Sequence, residues 1–214
     1  LPVTDIFIAR HGETEYNRTG RLQGRGIDEP INENGQAQAH AVAEYLRDKN
    51  IAHIFSSSLV RSIETAEIIG RELDCPVHSY PELDEMDFGI MEGRRQQNIW
   101  GDIMRLHNRW KEGDTGFAFE QGESPETVLQ RVVSCTNEIL ADYGDQPVLF
   151  VLHGRLIRIL VAHWLEYGLS QMHRVQHQNG ALYHLRLKEN DHIEPVYLNR
   201  TFHLDKEPDQ QSNI

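Results

Sequence analysis

The chain has 214 residues, enough for one α/β domain with a sizeable core, since single domains commonly run to about 200 residues. Its 21 Lys and Arg against 33 Asp and Glu give a formal charge of −12, which repels a phosphate backbone over most of the surface and excludes general nucleic-acid binding. No run of about 18 apolar residues is present, and Leu1 to Ile8 lacks the basic start and long apolar stretch of a signal peptide. The expectation is a soluble, cytoplasmic enzyme with no membrane partner, and a leader removed before Leu1 stays open.

Taken in chain order, Ile6 to Ile8 is a short apolar run that ends abruptly in Arg10-His11-Gly12, as a buried strand would. Asn34-Gly35, followed by Ala37, Ala41, Val42 and Leu46, predicts a first helix. Ile51 to Phe55 reads as a second strand, and after Ser56-Ser57-Ser58 the residues Leu59, Ile63, Ala66 and Ile69 mark one face of a second helix. The stretch from Arg94 to Gly122 sets Trp100, Met104, Leu106, Trp110, Phe117 and Phe119 among charges and reads as an inserted helical cap. Ser124-Pro125 supplies an N-cap and first residue for a helix carrying Val128, Val132 and Ile139. Val148 to Leu152 repeats the opening pattern, an apolar run ending in His153-Gly154, and Leu156 to Leu165 is helical. Ala181 to Leu187 and Ile193 to Leu198 form a closing strand pair across Glu189-Asn190-Asp191, and the tail from Asp205 is polar and frayed. Strands alternating with helices predict a three-layer α/β sandwich, a mostly parallel central sheet with helices on both faces, in a single domain over 1–214.

Both His-Gly pairs fall at the carboxyl ends of strands, where open parallel sheets bind their ligands. A neutral imidazole can attack phosphorus, and guanidinium groups match phosphate oxygens two at a time, so Arg10-His11-Gly12 has the ingredients to capture a phosphoryl group. The twelve histidines invite a metal, yet His173 and His177 have no Glu between them and no evident third ligand, so no metal site is expected. Cys75 and Cys135 are too far apart for a zinc or redox pair and read as reduced thiols. There is no phosphate-binding glycine loop or dinucleotide fingerprint, so no nucleotide cofactor is implied.

The stretch Ile8-Ala9-Arg10-His11-Gly12-Glu13-Thr14-Glu15-Tyr16-Asn17 resembles the signature of the histidine phosphatase superfamily, which includes cofactor-dependent phosphoglycerate mutases and related phosphatases. Three further segments resemble its motifs in order: Phe55 to Ala66 the second-arginine motif, Glu82 to Gly89 with Glu92-Gly93 the acid/base motif, and Val151 to Gly154 the second-histidine motif. The loop Gly20-Arg21-Leu22-Gln23-Gly24 also looks like the family's loop after the nucleophile. The resemblance implies that His11 becomes phosphohistidine, that Arg10, Arg61 and His153 surround the phosphoryl group, and that Glu85 serves as acid and then base, with Asp84 the fallback. Asn17, Arg21, Gln23, Gly24 and Gly154 are candidate phosphate ligands. One Arg at about 4 Å from a phosphate charge contributes roughly 4 kcal/mol of attraction at an effective dielectric near 20, so several converging cations account for a site that needs no metal.

Arg155 departs from the family, whose members commonly have a second glycine or another small residue there. It either contacts a second anionic group of the substrate or points into a surface ion pair. Glu85 and His153 are only 68 positions apart, which resembles the compact phosphatase branch more than the mutases. The expected activity is metal-independent hydrolysis of small phosphomonoesters such as sugar phosphates, phosphoglycerates or phosphoserine. A phosphoglycerate mutase-type phosphotransferase and a non-catalytic phospholigand-binding protein are the alternatives. Trp100, Trp110 and Trp164 are read as core or interface, which leaves a homodimer open.

Overall fold

The computed structural model describes residues 3–189 and 192–205. Its strands are β1 (Thr4–Arg10), β2 (His53–Ser57), β3 (Val77–Tyr80), β4 (Val148–Leu152), β5 (Leu182–Leu187) and β6 (Ile193–Arg200). They form one sheet in the order β3-β2-β4-β1-β5-β6. The first four are mutually parallel, and β5 runs antiparallel to both β1 and β6.

The helices are α1 (Glu15–Arg18), α2 (Glu33–Leu46), α3 (Val60–Leu73), α4 (Trp100–Lys111), α5 (Pro125–Tyr143) and α6 (Gly154–Trp164). Strand alternation decides which face they cover, because successive side chains point to opposite sides. Ile6 and Ile8 of β1 join Phe55, Val148, Phe150 and Leu152 in one buried cluster with Val128 and Val132 of α5 and Leu156 and Leu160 of α6. Phe7 and Ala9 join Ile54, Leu149 and Val151 in a second cluster with Val42 and Leu46 of α2 and Ala66 and Ile69 of α3. The fold is therefore α/β, a mostly parallel six-stranded sheet with helices on both faces.

Several boundaries differ from the sequence expectation. The second strand lies two residues later than Ile51–Phe55, because Ser56 and Ser57 still pair with neighbouring strands. On α2 the buried alanines are Ala39 and Ala43, whereas Ala37 is exposed and Ala41 only partly covered. β3, which pairs with β2 alone at the sheet edge, carries a Val-His-Ser-Tyr sequence with little apolar signal. α6 begins at Gly154, two residues before the expected start at Leu156. The turn at Asn190-Asp191 and the tail beyond Asp205 lie outside the described residues.

Within 94–122, a 3-10 turn (Gln96–Ile99) and α4 are helical, and the rest is turn and loop. Its apolar side chains do not form a separate unit: Leu106 and Trp110 belong to the same cluster as α5 and α6, with Phe117 and Phe119 packed on it. Trp110 and Trp164 are core residues, while Trp100 is 58% exposed. No helix among the described residues is long and apolar enough to cross a membrane.

Candidate active site

Because β1 and β4 are neighbours in parallel register, with Arg10 opposite Leu152, the chain delivers His11 and His153 side by side at the same sheet edge. From there β1 leads toward the α2 face and β4 leads directly into α6 on the other, so the two histidines sit at a switch point of the topology. Their ring centroids are 5.1 Å apart, and both side chains are buried.

The loop after His11 has no room to move. A methyl group at Gly12 would lie 2.3 Å from the carbonyl oxygen of Gly35, and one at Gly35 would lie 2.3 Å from that of Glu13, so the loop packs backbone to backbone on the first turn of α2. The Gly12 N–H donates to Thr65 Oγ1 at 3.0 Å, which ties the loop to α3 as well.

Hydrogen bonding selects the His11 tautomer. His11 Nδ1 lies 2.8 Å from the Gly12 carbonyl, which can only accept, so the ring proton is on Nδ1 and the Nε2 lone pair is free. Ser57 at the end of β2 accepts from the Leu59 N–H and pairs with His153 Nε2, 2.6 Å away. With Ser57 as the donor in that pair, the His153 proton sits on Nδ1, a buried atom with no partner. Burial foremost, then the guanidiniums of Arg61 and Arg10, hold His11 neutral, well below the usual imidazole range. The same arginines, after burial, do this to His153.

Arg10 is fixed from β5's side, its Nη1 lying 3.0 Å from His177 Nδ1 and 3.2 Å from the His177 carbonyl. Arg61, on the first turn of α3, is 1% exposed and donates to the carbonyls of Ile27 and Gly24. Burial lowers its guanidinium to about 10, with Glu85 the first of the acids that oppose the shift. Gly24 has to be glycine, since a methyl there would be 2.0 Å from Glu92 Oε1 and 2.6 Å from the Met86 carbonyl. Gln23 accepts from Thr14 through Oε1. Its Nε2, together with Arg10 Nε, Arg61 Nε and His153 Nδ1, is a buried donor without an acceptor. Each such donor costs about 1–3 kcal/mol while unmet, and the acceptor oxygens of an anion could meet those around His11.

Glu85 has both oxygens engaged. Oε1 accepts from the N–H groups of Met86 and Leu156, and Oε2 from that of Arg155, so the carboxyl caps the N-terminus of α6 directly beside His153. Asp84, the fallback acid, is committed elsewhere, to the Ser58 N–H and hydroxyl and to Arg25. Arg131 of α5 holds this loop through the carbonyls of Glu82, Asp84 and Glu85.

Asn17 stands at the edge of the cluster, its Oδ1 taken by the Thr14 N–H and by Asn179 Nδ2, which also donates to the His11 carbonyl. Arg21 takes a different partner, the Gly93 carbonyl at 2.8 Å. Gly154 lets α6 approach Arg10 and His177: a methyl would lie 2.8 Å from His177 Nδ1. Sequence reading missed His177 and Asn179, which carry no motif, and passed over Ser57, although it lies inside one. His173 and His177 do not converge: His173 Nδ1 faces the Ser170 carbonyl, while His177 serves Arg10. Among the described residues no three His, Cys, Asp or Glu side chains gather as a metal ion would require.

The buried histidines make stability depend on pH. Burial, followed by Arg155, lowers His107 to about 3, and burial followed by Arg10 lowers His177 far below its ordinary value, as for His11 and His153. With folded values depressed, the unfolded chain takes up protons first as pH falls. This stability is complete above about pH 6.5 and is lost below it, by roughly 1 kcal/mol per histidine at pH 5.5. Tm measured from pH 7.5 to 5.5 should fall steeply, and a flat profile would contradict the neutral assignments.

A mostly parallel α/β sheet with two histidines at the ends of neighbouring strands, Arg10 beside the first and Arg61 on the first turn of α3, is the arrangement of the histidine phosphatases. The profile of the histidine phosphatase superfamily (branch 1) matches residues 6–200, and the chain belongs to that family. It is 30% identical to a probable phosphoglycerate mutase, GpmB, of Erwinia tasmaniensis, over 83% of this chain and 82% of that protein. It is 34% identical to fructose-2,6-bisphosphatase TIGAR B of Danio rerio, over 75% and 74%. Among solved structures, mycobacterial glucosyl-3-phosphoglycerate phosphatase complexed with VO3 superposes with a TM-score of 0.82 at 28% identity, covering 92% of this chain and 99% of that one.

Proposed function

We propose that this protein is a phosphatase that hydrolyses small phosphomonoesters without a metal, through a phosphohistidine at His11. The observation that carries the reading is the neutral His11 ring, its proton held on Nδ1 by Gly12, presenting a free Nε2 among the unpartnered donors of Arg10, Arg61, Gln23 and His153. Nε2 attacks phosphorus in line with the ester oxygen, and the equatorial oxygens gather charge that the two guanidiniums offset and the neutral His153 hydrogen-bonds. Glu85 gives the leaving alkoxide its proton, then takes one from the water that attacks the phosphohistidine. Similarity to named phosphatases supports this reading.

Similarity to GpmB favours a second reading, in which the phosphoryl group returns to another oxygen of the same substrate. Phosphate release from p-nitrophenyl phosphate and a panel of alkyl phosphates, with chelator in excess, separates the two. Release that survives chelation supports the phosphatase. Release abolished by chelator and restored by a metal overturns the metal-independent mechanism. Interconversion of 2- and 3-phosphoglycerate without release establishes the mutase.

A further inference from the structure

The first turns of α6 carry two cations that no carboxylate holds in an ion pair, Glu85 being the acid whose charge reaches both. Arg155 and Arg158 are three residues apart on one helix face, both partly buried, and among the described residues neither forms an ion pair with a carboxylate. The Nε of each is buried without a partner. Arg155 lies at the positive end of the helix, where the backbone opposes a cation. Its guanidinium is steered by two neutral groups of α4: Nη2 donates to His107 Nε2 at 2.8 Å, and Cζ lies 5.1 Å from the centre of the Trp110 ring. Burial, with Arg158 adding to it, pushes Arg155 down to about 9. The surface ion pair that the sequence left open for Arg155 is not formed. Two guanidiniums kept close together, desolvated and unpaired are costly to the fold, and an anionic ligand would relieve that cost.

Their position says which anion. Arg155 contributes its N–H to Glu85 while its side chain turns to α4, and Arg10 and His177 both feel the charge of Arg158. The arginines therefore sit close to Glu85 and Arg10 of the phosphoryl pocket. Arg155 and Arg158 line a tight cleft with His107, Lys111, Ser170 and His173, of about 20 Å³. A space this small suits a compact group such as one end of a small anion.

We infer that Arg155 and Arg158, set against His107 of α4, form a second anion subsite that selects phosphomonoesters carrying a carboxylate or a second phosphate close to the scissile ester. This rests on the phosphatase reading for the word substrate, but the subsite itself is tested by binding. Titration calorimetry on the His11→Ala protein compares 3-phosphoglycerate with glycerol 3-phosphate, which differ by a carboxylate in place of a hydroxymethyl group. Propane-1,3-diol bisphosphate then ranks phosphate against carboxylate as the second anion. The expected result is a preference of about tenfold or more for a doubly anionic ligand, reduced to within about threefold by Arg155→Met with Arg158→Met, and partly kept by Arg155→Lys. Equal affinity of all three ligands overturns the subsite before any arginine is changed, as does a preference that survives the double substitution in folded protein. Failure of the wild type to release phosphate from any ester is a separate result that overturns the phosphatase reading alone.

Discussion

Replacing His11 with Ala should lower turnover of p-nitrophenyl phosphate by about 10⁴-fold or more, because no other described side chain offers a free, neutral nucleophile between Arg10 and Arg61. The loss should be chemical, not structural. The ring contributes one hydrogen bond, to Gly12, while the loop is held independently by Gly35 and Thr65, so the variant should keep its fold and still bind phosphate esters. Wild-type enzyme quenched in alkali after incubation with labelled ester should retain a base-stable, acid-labile phosphate that the variant lacks. Turnover within tenfold of wild type, or label retained in the variant, would mean that phosphorus is attacked by another group or directly by water.

The second large effect is expected at Glu85. Glu85→Gln should slow alkyl phosphates by about 10²- to 10⁴-fold and p-nitrophenyl phosphate by far less, since only a poor leaving group needs its proton in the transition state. A stability loss should accompany it. In the wild type both carboxyl oxygens accept backbone N–H groups, and the amide of Gln must turn a donor toward one of them, at a cost of about 1–3 kcal/mol. Equal kinetic losses on both esters would assign the acid elsewhere, and an unchanged Tm would show that the cap on α6 contributes little.

The strands that build the site were readable because each is a short apolar run broken by a polar residue at its carboxyl end. Arg10-His11 and His153 stood out for that reason, and β1 pairing with β4 then brings them together. Where side chains carry less information the reading slipped. Alanine is too small to mark a helix face, so Ala37 and Ala39 could not be told apart on α2. β3 is an edge strand with one partner and only partial burial, and it carries none of the apolar run that exposed the central strands. Within the acidic loop, composition could not separate Glu85 from Asp84. Tertiary partners do: Asp84 is bonded to Ser58 and Arg25, whereas Glu85 reaches the start of α6. Ser57, His177 and Asn179 act by orienting other groups, a role set by distances in space that linear spacing does not encode.

The bond between Glu85 and α6 gives the protein an internal indicator. A carboxyl oxygen that takes up a proton becomes a hydroxyl and a weaker acceptor, so the amide hydrogens of Arg155 and Leu156 sense that proton directly. Their nitrogen and proton resonances, followed with and without a phosphate ester, would test whether Glu85 gains and loses the proton that the proposed mechanism assigns to it. Any substrate or inhibitor that draws the Glu85 carboxyl away would also unfasten the first turn of the helix that bears Arg155 and Arg158.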